Sequence, residues 1–353
     1  MAALFAGDVL SSPKVDSFLS PFITKRKVDY KLEFELSKEQ KDLQEKCCQD
    51  NKEVYVNAVC GSGKTEITYE VIKKFLMEGK RVGIAIPRKA IVHELYLRLK
   101  KVFKNVVIKE VYGGHNKDKD GEIVIFTTHQ AYLFYKSFCL LIVDEYDAFP
   151  LKGDECLMNM TKLTSIEKSI YLSATFRKSD LENKYSLELN KRYHNHKMDT
   201  PNIIISIYSI LLLKLTSQVQ QYYKDNKKLL VYFPKIENIK KYSKFLDIFG
   251  IKHLVIYASN QLELNKLKSL DSFICLTSII LERGITIKDV NVIVFNANHS
   301  VFKYETLIQI CGRVGRHYLY PQGEITFYAT KNDKKFDDVI SRINYANESL
   351  SDL

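Results

Sequence analysis

"AVCGSGKTE", residues Ala58–Glu66, closes on Gly-Ser-Gly-Lys-Thr and stands between the apolar run "EVYVNAV" and a segment with helical spacing at Ile72, Phe75 and Leu76. A strand that turns through glycines into a helix is the setting in which this pattern cradles phosphate. Amides of the loop and of the helix N-terminus point at the anion, and Gly61 and Gly63 let the backbone approach it closely. Lys64 neutralises β/γ charge and Thr65 can hold Mg²⁺. The stretch therefore predicts an α/β fold with a nucleotide-binding set of Ala58, Gly61, Ser62, Gly63, Lys64 and Thr65. Its first position is alanine, where the Walker A pattern has glycine.

Working outward, "RVGIAIP", "GEIVIFTT", "LLIVDE" and "SIYLSAT" are further apolar runs. Each is continuous rather than alternating, as in parallel strands covered on both faces, and spacings such as Val92, Leu95 and Leu99 predict crossover helices between them. The rhythm pauses at "NKRYHNHKMDTPN" and restarts with "KKLLVYFP", "IKHLVIYAS", "FICLTS", "VNVIVFN" and "GEITFYA". Two consecutive α/β domains follow, one over 36–195 and one over 202–345, with an appendage over 1–35. The boundary falls between Arg192 and Asn202, because Pro201 disfavours helix in the residue before it. The longest apolar run, "IIISIYSILLL", is about half of what a bilayer span needs and predicts a buried helix.

The chain has 353 residues, 46% of them hydrophobic, enough for two cores of ordinary size. A formal net charge of +11 favours an anionic partner such as nucleic acid. The seven cysteines include no Cys-x-x-Cys pair and several lie in apolar runs, so they read as reduced core residues of a cytoplasmic protein; zinc is not expected. His194, His196 and His299 read as loop or packing residues, since no Cys/His spacing surrounds them. The amino terminus lacks a basic n-region and a long apolar core and is not a signal peptide.

"LLIVDEYDAFP", residues 140–150, delivers Asp144 and Glu145 to the end of an apolar strand. That position suits Mg²⁺ binding by Asp144 and orientation and deprotonation of the attacking water by Glu145.

Six segments give the phosphate loop its relatives. "SAT" (173–175), "TSIILERGIT" (277–286) and "QICGRVGR" (309–316) resemble motifs III, V and VI of superfamily 2 helicases and translocases, in the usual order. "DEYD" (144–147) is similar to their motif II, and "AIPRKAIVHEL" and "TTHQ" to motifs Ia and Ib. In this superfamily the phosphate loop often begins with alanine. Within it, "TTHQAYLF", "VDEYDAFP", "RYHNHKMDTP", "LERGIT" and "QICGRVGRHYLYPQGEITFY" resemble segments of the ComFA family, the ATPases of bacterial natural transformation, over residues 36–330. ComFA proteins typically carry a four-cysteine zinc module ahead of the motor, and residues 1–46 here contain no cysteine. Zinc binding is not carried over.

The resemblance implies two tandem RecA-like domains with parallel sheets and an ATP site in the cleft between them. It assigns Gln40 to the adenine edge, and Asp147, Ser173, Thr175 and Gln309 to coupling the nucleotide to domain movement. Arg313 and Arg316 become arginine fingers for the departing phosphate. Pro87, Arg88, Thr127, Thr128 and Thr277 are assigned to a DNA backbone. Gly284 is assigned to the nucleotide, and beside Thr277 to the strand. The implied activity is an ATP-dependent single-stranded DNA translocase at the inner face of the membrane, with a ComFC-like protein and the DNA-uptake channel as partners. A DNA helicase of replication restart or repair is the alternative motor. A nucleic-acid-binding module with an inactive ATP site is the alternative of another class.

Overall fold

The computed structural model describes residues 19–32, 34–115, 117–192, 194, 196–257, 267, 269–279 and 287–348. The chain forms two compact units. The first comprises residues up to Val56, Thr65–Ser173 and Lys178–Leu187; the second comprises Asn57–Lys64, Ala174–Arg177 and the chain from Glu188 onward. The change of unit after Leu187 precedes the Arg192–Asn202 boundary expected from Pro201. The short strand at 186–189 still pairs within the first sheet.

The seven strands of the first sheet are β1 (Glu53–Ala58), β2 (Val82–Ile86), β3 (Ile108–Val111), β4 (Ile123–Thr127), β5 (Phe138–Val143), β6 (Ser165–Ser173) and β7 (Ser186–Leu189). Their order is β3-β4-β2-β5-β6-β1-β7. Strands β2, β4, β5 and β3 pair in parallel, as do β5 and β6. Every residue of β2, β4 and β5 is buried, which explains why these runs carry no alternation. The central pair is close enough to exclude a side chain. An added Cβ at Gly83 would lie 2.4 Å from Cδ2 of Phe138, so Gly83→Ala is expected to lower stability by about 1–3 kcal/mol, read as a fall in melting temperature.

Helices α1 (Lys38–Cys47), α2 (Tyr69–Met77), α3 (Lys89–Val102), α4 (Glu155–Lys162) and α5 (Lys178–Leu181) belong to this unit. The expected apolar faces form: Ile72, Phe75 and Leu76 of α2 and Val92, Leu95 and Leu99 of α3 are all buried. The described part of the amino-terminal segment is tied to the unit. Ile23 N donates to Gly79 O at 2.8 Å and Arg81 N to Pro21 O at 2.7 Å. Gly79 has φ +77, and a Cβ there would meet Ile23 O at 2.7 Å, so only glycine lets the segment lie so near.

The second sheet has six strands, β8 (Asn202–Ile205), β9 (Lys228–Tyr232), β10 (Leu254–Ile256), β11 (Phe273–Thr277), β12 (Val290–Phe295) and β13 (Ile325–Ala329). All pairs in the order β10-β11-β9-β12-β13-β8 are parallel. Side chains alternate between two cores. Leu230, Tyr232, Val292 and Val294 enter one, while Leu229, Val231, Ile293 and Phe295 enter the other. Helices α6 (Tyr208–Lys224), α7 (Ile236–Ile248), α8 (Tyr304–Cys311) and α9 (Lys334–Glu348) complete the unit.

One expectation is corrected here. The run "IIISIYSILLL" is not a single buried helix. Ile203–Ile205 pair with β13 at the sheet edge, Ile207 caps α6, and the helix starts at Tyr208. Leu211, Leu215, Val219 and Tyr222 make its buried stripe, whereas Ile207 and Leu213 are 68% and 69% exposed. The run was long enough for a helix, but β pairing claimed its first residues. Among the described residues, no helix is long and apolar enough to cross a membrane.

Candidate nucleotide site

The phosphate loop leaves the end of β1 and groups by its contacts with the second unit. Val59 lies in that unit's core, and its amide donates to Leu189 O at 3.0 Å. Gly61 and Gly63 take φ of +81° and +77°, a backbone that residues with a Cβ rarely adopt. This is the one place in the loop where glycine is obligatory. Ser62 is fully buried, and its amide donates to Val59 O at 3.2 Å. Lys64 is half-buried.

The helix expected directly after Thr65 begins later. Glu66–Thr68 form a 3₁₀ turn, and α2 starts at Tyr69. Thr68 Oγ1 donates to Thr65 O at 2.7 Å and Thr68 N to the same oxygen at 3.1 Å. These i to i−3 bonds, helped by a β-branched hydroxyl, tighten the first turn.

In the first unit, Asp144 and Glu145 follow β5. Asp144 N donates to Ala85 O at 3.0 Å, which continues the pairing with β2 for one residue beyond the strand. Asp144 is 7% exposed, and its Oδ1 accepts from Glu145 N at 2.8 Å. Glu145 itself has φ +55° and is half-buried. A non-glycine residue held in the left-handed region costs about 1–3 kcal/mol, and such positions cluster at functional sites. The turn is locked by Tyr146 N to Leu172 O at 3.0 Å and Ala148 N to Glu145 O at 2.8 Å. Sequence reading placed this carboxylate but could not see its backbone.

Thr65 and Asp144 are both nearly buried and offer hard oxygen donors, the chemistry that Mg²⁺ selects. This pair of oxygen donors, both in the first unit, fits Mg²⁺. The bound ion would supply neutralisation of phosphate charge.

The other assigned residues of the first unit are placed as follows. Gln40 is 1% exposed and serves α1: its Oε1 accepts from Ser37 N at 2.8 Å, while its own N donates to Ser37 Oγ at 3.2 Å. This is a capping box, so its side-chain oxygen is committed to the helix end. Asp147 and Ser173 are buried. Pro87 is buried and Arg88 half-buried at the N-cap of α3. Thr127 and Thr128 stand at 7% and 0% exposure.

In the second unit, Thr175 is fully buried and Gln309, on α8, is 5% exposed. Arg313 follows α8 and is 2% exposed. Arg316 is half-buried, with Nε donating to Gly312 O at 2.6 Å. The two glycines of this segment have separate steric reasons. A Cβ at Gly312 would lie 2.4 Å from Cβ of Cys60, and Gly315, at φ +67, has Pro321 O 2.2 Å from where its Cβ would be. Thr277 is fully buried, and its hydroxyl donates to Ile256 O at 2.8 Å and Ser278 O at 3.2 Å, which caps the strand end. Gly284 lies outside the described residues.

Two buried polar residues that sequence reading did not assign lie in the same unit as the loop. Asn57, at the end of β1, buries an Oδ1 with no hydrogen-bond partner among the described residues. Arg192 buries its whole side chain at 2% exposure. A lone arginine in a polar stretch gives no periodic signal of burial.

Comparison with known proteins now defines the class. The DEAD/DEAH box helicase model matches residues 37–183, and the helicase conserved C-terminal domain matches residues 211–318. The chain is similar in fold to S. cerevisiae Dbp5 bound to RNA and ADP BeF3, with a TM-score of 0.63 and 16% identity over 88% of this chain and 92% of that one. Two parallel-sheet α/β units with these matches make it an ATP-dependent helicase-type enzyme of tandem RecA-like domains. It is 30% identical over 318 residues to the competence protein ComFA of Bacillus subtilis (strain 168), covering 84% of this chain and 68% of that protein. It is 32% identical over 317 residues to ComFA of Streptococcus pneumoniae (strain ATCC BAA-255 / R6), covering 84% and 73%. The chain belongs to the ComFA family.

Proposed function

We infer that this protein is an ATP-driven motor that moves single-stranded DNA during natural transformation. The observation that carries this reading is Glu145, held in a left-handed backbone directly after the Mg²⁺-type carboxylate Asp144 and fastened by the Tyr146 and Ala148 amides. A binding module with an inactive ATP site has no use for that strain.

In the proposed cycle Lys64 and the loop amides would hold phosphates, Thr65 and Asp144 would hold Mg²⁺, and Glu145 would take a proton from the attacking water. Arg313 and Arg316 stabilise charge on the departing phosphate. Asp147, Ser173, Thr175 and Gln309 transmit the loss of that phosphate to the strand-binding surfaces. Arg88, half-buried at the N-cap of α3, is the cation assigned to a backbone phosphate. The buried threonines Thr127, Thr128 and Thr277 contribute through the main chain at their strand ends. Little base reading is required, which suits transport of any sequence. A ComFC-like protein and the membrane uptake channel are the partners this reading assigns, at the inner face of the membrane.

The test is an ATPase titration with single-stranded DNA, duplex DNA and RNA at one fixed salt concentration, since salt alone shifts such affinities by orders of magnitude. Single-stranded DNA is expected to raise the rate most. A rate indifferent to all three would remove the motor reading. Greater stimulation by RNA would move the protein to another substrate class.

A further inference from the structure

The guanidinium of Arg192 is 2% exposed, yet only one of its nitrogens is engaged: NH1 donates to Gly315 O at 2.7 Å. Nε and NH2 are buried without a hydrogen-bond partner among the described residues. Nε lies 3.9 Å from where a Cβ of Gly61 would sit, so the Nε end of the guanidinium lies beside the turn of the phosphate loop. Both residues belong to the same compact unit.

The surroundings do not neutralise it. Burial foremost, and then the like charge of Arg316, bring its pKa down to about 10. Arg316 borders the same glycine, with Cγ 3.8 Å from the Gly61 Cβ position. The acid whose field Arg192 feels, Asp199, accepts from Gly323 N at 3.2 Å instead and forms no ion pair with Arg192 among the described residues. A buried cation without a counter-charge is costly, and an arginine fork presents parallel donors that match phosphate oxygens. A buried, unneutralised arginine beside a loop built for anions calls for an anion there.

We propose that Arg192, from the segment that joins the two sheets, is a phosphate ligand of the bound nucleotide, reaching the turn at Gly61 with Nε and NH2 while Gly315 O holds NH1. Arg192 is thereby a third arginine of the site, beside Arg313 and Arg316 but outside their motif. The inference rests on the nucleotide reading given above and adds a residue to it. The Gly315 contact also gives the loop and the glycine-arginine segment a shared side chain, so phosphate binding at Gly61 is felt at Gly315.

The full-length chain, with a fluorescent ATP analogue as the probe, tests this in three variants. Arg192→Gln is expected to weaken ATP binding about ten- to hundredfold, the range for hydrogen bonds to charged groups. Its melting temperature without nucleotide should equal or exceed that of the unchanged protein, because an unneutralised buried charge has been removed. Arg192→Lys keeps the charge but loses the fork and should weaken binding severalfold; it decides the matter if the glutamine variant does not fold. Unchanged ATP affinity in whichever of these variants folds would overturn the proposal and make Arg192 a support for Gly315. Lys64→Ala serves as the reference for a lost site. If the unchanged protein itself fails to bind ATP, the nucleotide reading falls; if it binds and Arg192→Gln binds equally, only this inference falls.

Discussion

Replacing Glu145 by glutamine is expected to leave ATP binding intact and slow hydrolysis about 10²–10⁴-fold, the usual contribution of a positioned general base. Single-turnover hydrolysis with the Mg²⁺–ATP complex measures the effect. Glutamine preserves shape and can keep the left-handed backbone, φ +55°, that the Tyr146 and Ala148 amides fasten. The loss therefore reports the carboxylate and not the turn. In the proposed cycle Asp144, unchanged in this variant, would still hold Mg²⁺, so ATP affinity is the control. A variant that hydrolyses at the original rate would mean that Glu145 bears strain for another reason.

The second large effect is expected at Arg313. An arginine finger contributes about 10³–10⁵ in kcat, so Arg313→Ala should reduce turnover by about that range with a much smaller change in ATP affinity. Arg316→Ala should behave alike but less severely, because part of that side chain is spent on Gly312 O at 2.6 Å. Arg313 is 2% exposed, and truncation also empties packed space. Arg313→Lys separates the two effects: it fills most of the volume and keeps the charge, but it cannot offer the planar fork. If the lysine variant turns over normally while the alanine variant melts early, Arg313 is a packing residue.

The parts of the fold that could be read from the sequence are those in which one requirement dominates. Strands β2, β4 and β5 are buried throughout, so their sequences are continuous apolar runs that no other element explains. The phosphate loop was legible because Gly61 and Gly63 are required by a positive φ that the motif shares wherever it binds phosphate. Strand β3 was not. Its sequence, Ile-Lys-Glu-Val, places two charged residues between its buried ends, so no apolar run marks it. Strand β7, Ser-Leu-Glu-Leu, alternates over only four residues, too short to separate from a loop. Strand β8 was hidden by its neighbour α6, since both are rich in isoleucine and leucine and only pairing with β13 divides them.

The site divides in the same way. Lys64, Asp144, Glu145, Arg313 and Arg316 were nominated because motif spacing ties each to a strand end or a glycine. The backbone threonines were harder, since the residue type alone cannot say whether a hydroxyl faces outward. Thr277 gives its hydroxyl to Ile256 O and Ser278 O, which a sequence cannot show. The burial of Arg192 was not legible because "NKRYHNHK" interrupts the apolar rhythm, and its hydrogen bond reaches Gly315, 123 residues away.

The most direct test of the motor is the steady-state ATPase rate at saturating single-stranded DNA, measured against oligonucleotide length at constant salt. A translocating protein spends part of each cycle leaving the strand end, and longer strands dilute that time. The account predicts a rate that rises with length and then levels off. A rate independent of length from the shortest strand that binds would contradict it, leaving a DNA-stimulated ATPase that does not move.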